Sequence, residues 1–449
     1  MSLSHRRLLF ACFVLVFIIL VPLVLIYATG HTINWRRFSL EKTGTVLINS
    51  EPSGATIYID GKSIEDPLSR LFNPESSLTT QARVKDLLPG QHTLRLELNG
   101  YWPWENTFNL APGEAVNFGT VVLYSQSTPE EINPTKNNSS SLSPQGTRLL
   151  SINGKTISII STADATIKKI TASKNFSIEN IDWSADDSIF SFGKTLINLS
   201  TDTEEELFKQ VKNPVSVVHW DKKTAGIAYG LSGNTLYSYN TQTQKTNEQR
   251  IKELQKNEVI SDFEIYASKI YIIAKSSNGS ERLLSGTLNT DLALIDLPTG
   301  HYRFVALNGD RPLISNGKKT YIIDEPLPLY PTPRLLEISG KVSIGQWFNQ
   351  SIIYSTPLEL RRWDNESSDY LLTRLGLPIN ALLPLSEESV ILATPNDIRI
   401  YTNGREPFSI ILANIKNVKT MTLSGNKKIL YVDGTYENAE GIFAVALQH

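Results

Sequence analysis

The sequence of 449 residues holds one cysteine, Cys12, and two methionines. A single thiol excludes an intramolecular disulfide and any multi-thiolate zinc or iron–sulfur centre. So few methionines leave no adaptable Met-lined groove. A basic surplus is also missing: 43 Lys and Arg stand against 45 Asp and Glu, a formal charge of −2. That balance excludes the electrostatic footprint of a nucleic-acid binder. The six histidines fall at 5, 31, 92, 219, 301 and 449, with no His-x3-His pair. There is no Gly-x-Ser-x-Gly elbow, no Gly-rich phosphate loop and no metalloprotease helix motif. No cofactor, metal or catalytic residue is expected from these patterns.

What the sequence does have is one long apolar run. Leu8 to Tyr27 reads LLFACFVLVFIILVPLVLIY, twenty residues without charge, Asn, Gln, Ser or Thr. At about 1.5 Å per residue it covers about 30 Å, one hydrocarbon core. His5, Arg6 and Arg7 precede it, and Tyr27, Trp35, Arg36 and Arg37 follow at interfacial positions. The run is longer than the apolar region of a signal peptide, and Ala28-Thr29-Gly30 is a poor cleavage match. Residues 8–28 therefore read as an uncleaved transmembrane anchor, with 29–43 as a juxtamembrane segment. Arginines flank both ends, so charge alone sets no orientation. The short tail, 1–7, favours a cytoplasmic N-terminus, with the remainder extracytoplasmic.

Residues 44–124 change to short alternating runs. Thr45 to Ser50 and Ala55 to Asp60 are strands parted by Glu51-Pro52-Ser53-Gly54, and Asp60-Gly61 is a hairpin dipeptide. Alternation in Gln91 to Leu98 places Leu94, Leu96 and Leu98 on one face. About six strands in some eighty residues predict a small sandwich. The order Ser50-Glu-Pro-Ser-Gly-Ala55, Ile57-Tyr-Ile-Asp-Gly61, Leu88-Pro-Gly-Gln-His92 and Gly100-Tyr101 resembles a PEGA domain. Here Pro52-Ser53-Gly54-Ala55 stands for the family motif, and the stretch from Lys62 to Val84 is longer than the family's usual link. The resemblance implies a non-catalytic module of extracytoplasmic surface proteins, and it brings no catalytic residue. Tyr101, Trp102 and Trp104 form the densest aromatic cluster. They are candidates for a partner-binding patch, or else for covering the sandwich end.

A Ser-, Pro- and Asn-rich stretch, 125–141, reads as a linker. From 142 to 449 helical periodicity is nearly absent; only Asn247 to Glu258 suits a short helix, and equally a loop. A hydrophobic or Trp anchor, a polar turn and β-rich strands recur instead. Anchors at 142, 183, 220, 265, 307, 347, 384 and 423 are spaced 41, 37, 45, 42, 40, 37 and 39 residues. Spacing near 40 is the signature of β-propeller blades. Trp183, Trp220 and Trp347 share one repeat position and are expected to pack between blades. In the second unit the strands are read as Ile178 to Trp183, Ile189 to Phe192, Thr195 to Leu199 and Glu205 to Val211. Asp186-Asp187 is read as a solvated turn, and Arg361-Arg362-Trp363-Asp364 as a strand edge with a cation–π contact.

Ser143-Pro-Gln-Gly-Thr-Arg148 resembles the turn of WD40-like and TolB-like propellers of bacterial envelopes. Eight anchors predict about eight blades, with seven as the alternative if the first unit is only a lead-in strand. The last unit lacks an obvious outer strand, which a segment of the linker would supply to close the ring. The expected whole is all-β beyond the anchor: a PEGA-like sandwich at 44–124 and a propeller at 142–449. Its function reads as a non-enzymatic, membrane-anchored scaffold of the cell envelope. It would contact the lipid bilayer through 8–28 and an envelope protein or glycan through the propeller, and no nucleic acid. The alternative is a propeller hydrolase of envelope glycan or peptide, since carboxylates gathered from separate blades leave no local motif.

Overall fold

The computed structural model describes residues 3–28, 31–34, 39–65, 77–134, 140–178, 181–288, 290–305, 311–324, 333–338, 342, 344–348, 351–364, 368–386, 389–402 and 408–448. Helix α1 runs Leu3–Ala28, and a short hairpin, β1 (His31–Asn34) and β2 (Ser39–Lys42), follows it. Along α1 the described apolar side chains from Leu9 to Leu20 all stand exposed. Leu8, Pro22, Leu23 and 25–28 are outside the described side chains, and among the described residues no helix is long and apolar enough to cross a membrane. Trp35, Arg36 and Arg37 are likewise outside the described residues.

Seven strands then form two sheets: β3 (Gly44–Glu51), β4 (Thr56–Ile59), β5 (Lys62–Ser63), β6 (Ala82–Leu87), β7 (Gly90–Glu97), β8 (Trp104–Leu110) and β9 (Ala115–Val122). One sheet has the order β6-β3-β9, with β3 and β9 parallel; the other is β5-β4-β7-β8. Asp60 and Gly61 both take positive φ, as a two-residue hairpin loop between Ile59 and Lys62 requires. Alternation does what the sequence implies: Val46 and Ile48 on β3 and Leu94 and Leu96 on β7 are fully buried. Phe118 of β9 meets Trp104 and Phe108 of β8 edge-on, at 5.8 and 5.2 Å, so the two sheets face one another. A methyl at Gly44 would fall 2.7 Å from Leu110, which makes glycine the residue that lets β3 approach β8.

Eight four-stranded antiparallel sheets make up the propeller among the described residues. Blades 1 to 8 occupy 140–171, 181–206, 217–249, 258–296, 303–338, 344–374, 381–413 and 415–446. Because 140–171 forms a complete sheet, the first unit is a blade and not a lead-in strand. The last blade takes its outer strand from upstream: β10 (Glu130–Pro134) pairs with Ala439–Ala446. That strand and the first of blade 1, Ser140–Leu142, both reach into the stretch 125–141.

The sheets form a ring because their cores are shared pairwise. Trp183 and Phe190 of blade 2 pack with Ile157 and Ile159 of blade 1. Trp220 of blade 3 packs with Leu196 of blade 2, and Trp347 of blade 6 with Ile322 of blade 5. Leu149 and Ile160 of blade 1 meet Tyr431 and Ile442 of blade 8, which closes the circle. Trp220 is fully buried, and its indole N–H donates to Ser191 Oγ at 2.9 Å. The three tryptophans thus pack between blades.

Acidic side chains bridge neighbouring turns. Asp187, buried, accepts Ser143 Oγ and Thr147 Oγ1 of blade 1, each at 2.6 Å. Asp221, fully buried, accepts the Ala267 and Ser268 amides of blade 4, each at 2.9 Å. Of the supposedly solvated pair only Asp186 is exposed; Asp187 is tied down because the blade 1 turn offers it donors. The cation near Trp363 is Arg311 of the preceding blade, 5.9 Å from both the Trp347 and Trp363 rings. Arg361 pairs instead with Glu359 and Asp369.

Candidate functional site

Seven of the eight innermost strands end at or beside a sequence anchor: Leu142, Trp183, Trp220, Pro384 and Leu423 close theirs, and Ile265 and Trp347 sit one residue earlier. The anchor at 307 lies outside the described residues. Along a strand successive side chains alternate in direction, so the residue before the anchor points away from the core the anchor fills. In blades 2, 3 and 4 that residue is Asp182, His219 and Glu264. In blades 1, 6, 7 and 8 it is Ser141, Gln346, Leu383 and Thr422. Titratable groups at this position therefore come together on one arc of the ring.

That arc borders a cavity of about 1120 Å³ along the inner strands of blades 2 to 5. Asp182, His219, Lys222 and Glu264 share its wall with Lys174, Phe176, Lys223, Tyr266 and Arg311. Asp182 is the hub. Its Oδ1 accepts Lys222 Nζ at 2.7 Å and the Trp183 amide at 3.0 Å. Its Oδ2 accepts the Trp220 amide at 3.0 Å and lies 3.2 Å from His219 Nδ1. The His219 ring stands edge-on to Phe263, 5.0 Å between centroids.

Burial alone would raise the Asp182 pKa, but the Lys222 ammonium and the His219 hydrogen bond outweigh it and hold the carboxyl well below the usual range. Burial pulls His219 and Lys222 down, and the charge of Asp182, with Glu264 behind it, holds both above their ordinary values. Glu264 goes the other way from Asp182: burial raises it, Asp182 adds to the rise, and Lys222 and His219 offset only part. The cavity thus holds a committed anion, two positioned donors and a carboxyl that is reluctant to ionise. Among the described residues no group of three or more His, Cys, Asp or Glu could hold a metal ion.

The aromatic cluster singled out in the sequence lies elsewhere. Trp104 is buried on β8 against Phe118, so its ring fills the sandwich. Tyr101 and Trp102 are half-buried, and the Trp102 amide donates to the Tyr124 carbonyl at 2.8 Å. Asp182, Lys222 and Glu264 were not marked by any motif. Their signal is the repeat register itself, read one residue before each anchor in consecutive blades.

No protein-family model and no curated protein matches the chain. Solved structures similar to it include a eukaryotic initiation factor, 13% identical, covering 69% of this chain and 88% of that one, with a TM-score of 0.47. Porphyromonas gingivalis dipeptidyl peptidase 4 is 11% identical over 68% of this chain and 56% of that one, with a TM-score of 0.46. The RRP9 WD40 repeats are 10% identical over 71% and 100%, with a TM-score of 0.40.

Proposed function

We propose that this chain is a membrane-tethered, extracytoplasmic binding protein whose propeller captures a partner in its axial cavity. The carrying observation is the cavity wall, where Asp182 of blade 2 fixes the donors Lys222 and His219 of blade 3. Both Asp182 oxygens are occupied by hydrogen bonds, so this carboxylate orients Lys222 and His219 and is not free to attack a substrate. The described apolar side chains of α1 from Leu9 to Leu20 stand exposed, which supports insertion of residues 8–28 in a bilayer; a cytoplasmic N-terminus is the orientation that goes with an extracytoplasmic sandwich. The PEGA-like order of turns in 44–124 supports an extracytoplasmic place for the rest. Tyr101 and Trp102 are a second surface for an envelope protein or glycan.

A hydrolase of envelope glycan or peptide is the second reading. What favours it is that Asp182 and Glu264 line one cavity with pKa values displaced in opposite directions. Protease added to spheroplasts tests the leading reading, with alkaline carbonate extraction beside it. Cleavage of the propeller from outside, and retention in the carbonate-washed membrane, are expected. Protection until lysis, or release by carbonate, would overturn the tethered arrangement. Release of reducing ends or amines from envelope material, lost in Glu264→Gln, would move the assignment to the hydrolase.

A further inference from the structure

We infer that the axial cavity recognises an acidic peptide segment, whose carboxylates meet Lys222, Lys223 and Lys174 beside His219. The inference rests on the cavity being a binding site, as proposed above, and adds the class of its occupant. Four permanent cations line the wall, Lys174, Lys222, Lys223 and Arg311, against the two acids Asp182 and Glu264. This local excess of positive charge sits in a chain whose formal charge is −2, so the cavity draws an anion against the background of the whole molecule.

The cations differ in what they have left to give. Arg311 is engaged by Asp324 at 3.3 Å and by the two indole faces. Lys222 keeps donors beyond the one spent on Asp182, since an ammonium carries three. Lys174 Nζ lies 5.5 Å over the Phe176 ring and Lys223 Nζ 5.7 Å over Tyr266. Neither is paired with a carboxylate among the described residues. His219 uses Nδ1 toward Asp182, and its Nε2 makes no hydrogen bond among the described residues.

The aromatic rings argue for a peptide over a sugar. Carbohydrate is gripped by stacking on open aromatic faces. Phe176 is stacked on Phe192 at 4.0 Å and carries Lys174; Tyr266 carries Lys223. What the rings offer a ligand is therefore the ammonium seated on them.

Fluorescence anisotropy of a labelled oligo-glutamate peptide against the full chain in detergent micelles tests this. Oligogalacturonate, a neutral peptide and a basic peptide are run beside it. Saturable binding that weakens with added salt is expected. The double variant Lys174→Gln/Lys223→Gln, at exposed positions that leave the fold intact, should weaken it about tenfold. Lys222→Met should weaken it further, with circular dichroism confirming the fold. Unchanged affinity in the double variant overturns the inference. So does binding of oligogalacturonate in place of the peptide. A neutral or basic peptide that binds and is blocked by Ser177→Trp at the cavity wall would keep the cavity as a binding site and end the acidic assignment. Binding of none of these ligands would end both.

Discussion

Two histidine–aspartate pairs, one in the sandwich and one in the propeller, use the same groups to different ends. His92 Nδ1 lies 2.7 Å from Asp60 Oδ2, and its Nε2 lies 2.7 Å from the Leu88 carbonyl. With an acceptor at each nitrogen, only the imidazolium satisfies both. Asp60 also accepts the Thr93 amide at 2.9 Å, so the pair fastens the Asp60-Gly61 turn to β7. In the propeller His219 lies 3.2 Å from Asp182 and keeps its second nitrogen unused among the described residues. A histidine with both nitrogens spent is a clasp. One with a nitrogen in reserve, on a cavity wall, still has a hydrogen bond to offer. The difference comes from place in the fold: His92 reaches from β7 to the turn between β4 and β5, and His219 reaches across the seam between blades.

The contrast breaks first at the aspartates. Asp182→Ala should cost about 2–3 kcal/mol, because it strands a half-buried lysine and the Trp220 amide without their acceptor. Urea denaturation of the full chain, with hydrogen exchange read on peptides of blades 2 and 3, measures it. A cost below about 1 kcal/mol would show that Asp182 is no hub. Asp60→Ala should cost about 0.5–1 kcal/mol, since half of that carboxylate's side chain is exposed and its pairing is screened. Exchange on peptides of β4 and β7 reports it, and a loss as large as that at Asp182 would erase the distinction.

The smallest effect is the pH dependence of the clasp. Burial pulls the His92 pKa down, but the Leu88 carbonyl and Asp60 outweigh it and hold it above its ordinary 6.5. Its contribution is therefore complete below 6.5 and is lost as pH rises through the raised value. For Asp60 burial acts upward, yet the Thr93 amide and His92 hold it below 3.8, so its share is present above 3.8 and is lost as pH falls through the lowered value. The sandwich is best supported between those two limits. A carbon-13 histidine titration should give His92 a midpoint above 6.5 that relaxes toward 6.5 in Asp60→Asn. A midpoint at or below 6.5 in the parent chain would refute the clasp.

Much of this was legible in the sequence, because burial writes itself as periodicity. The anchors at 183, 220, 384 and 423 mark strand ends to the residue, and the lack of an obvious outer strand in the last unit pointed to the linker as its source. Errors arose where hydrophobic residues belong to a seam and not to a strand. The fourth strand of blade 2 is Thr203–Glu206, not 205–211, because Leu207 and Phe208 turn inward to the core shared with Trp220. Phe208 takes positive φ there, which no hydrophobic pattern announces. Lys245–Gln249 is a strand with turns after it, so Asn247 to Glu258 makes no helix. The charged wall stayed hidden because its members are dozens of residues apart and meet only when blades come into register.

The strand β10 sets a condition on how this protein is made. Its partner, Ala439–Ala446, belongs to blade 8, so during synthesis β10 emerges seven blades before anything can pair with it. For that interval it is an unpaired strand, its backbone donors and acceptors open to neighbouring nascent chains. Its sequence, Glu130-Glu131-Ile132-Asn133-Pro134, suits the wait. Two negative charges repel like copies, and the proline withholds a donor from any intruding strand. The ring is sealed only once blade 8 has been made, and a chain interrupted before it keeps both its gap and its guarded strand.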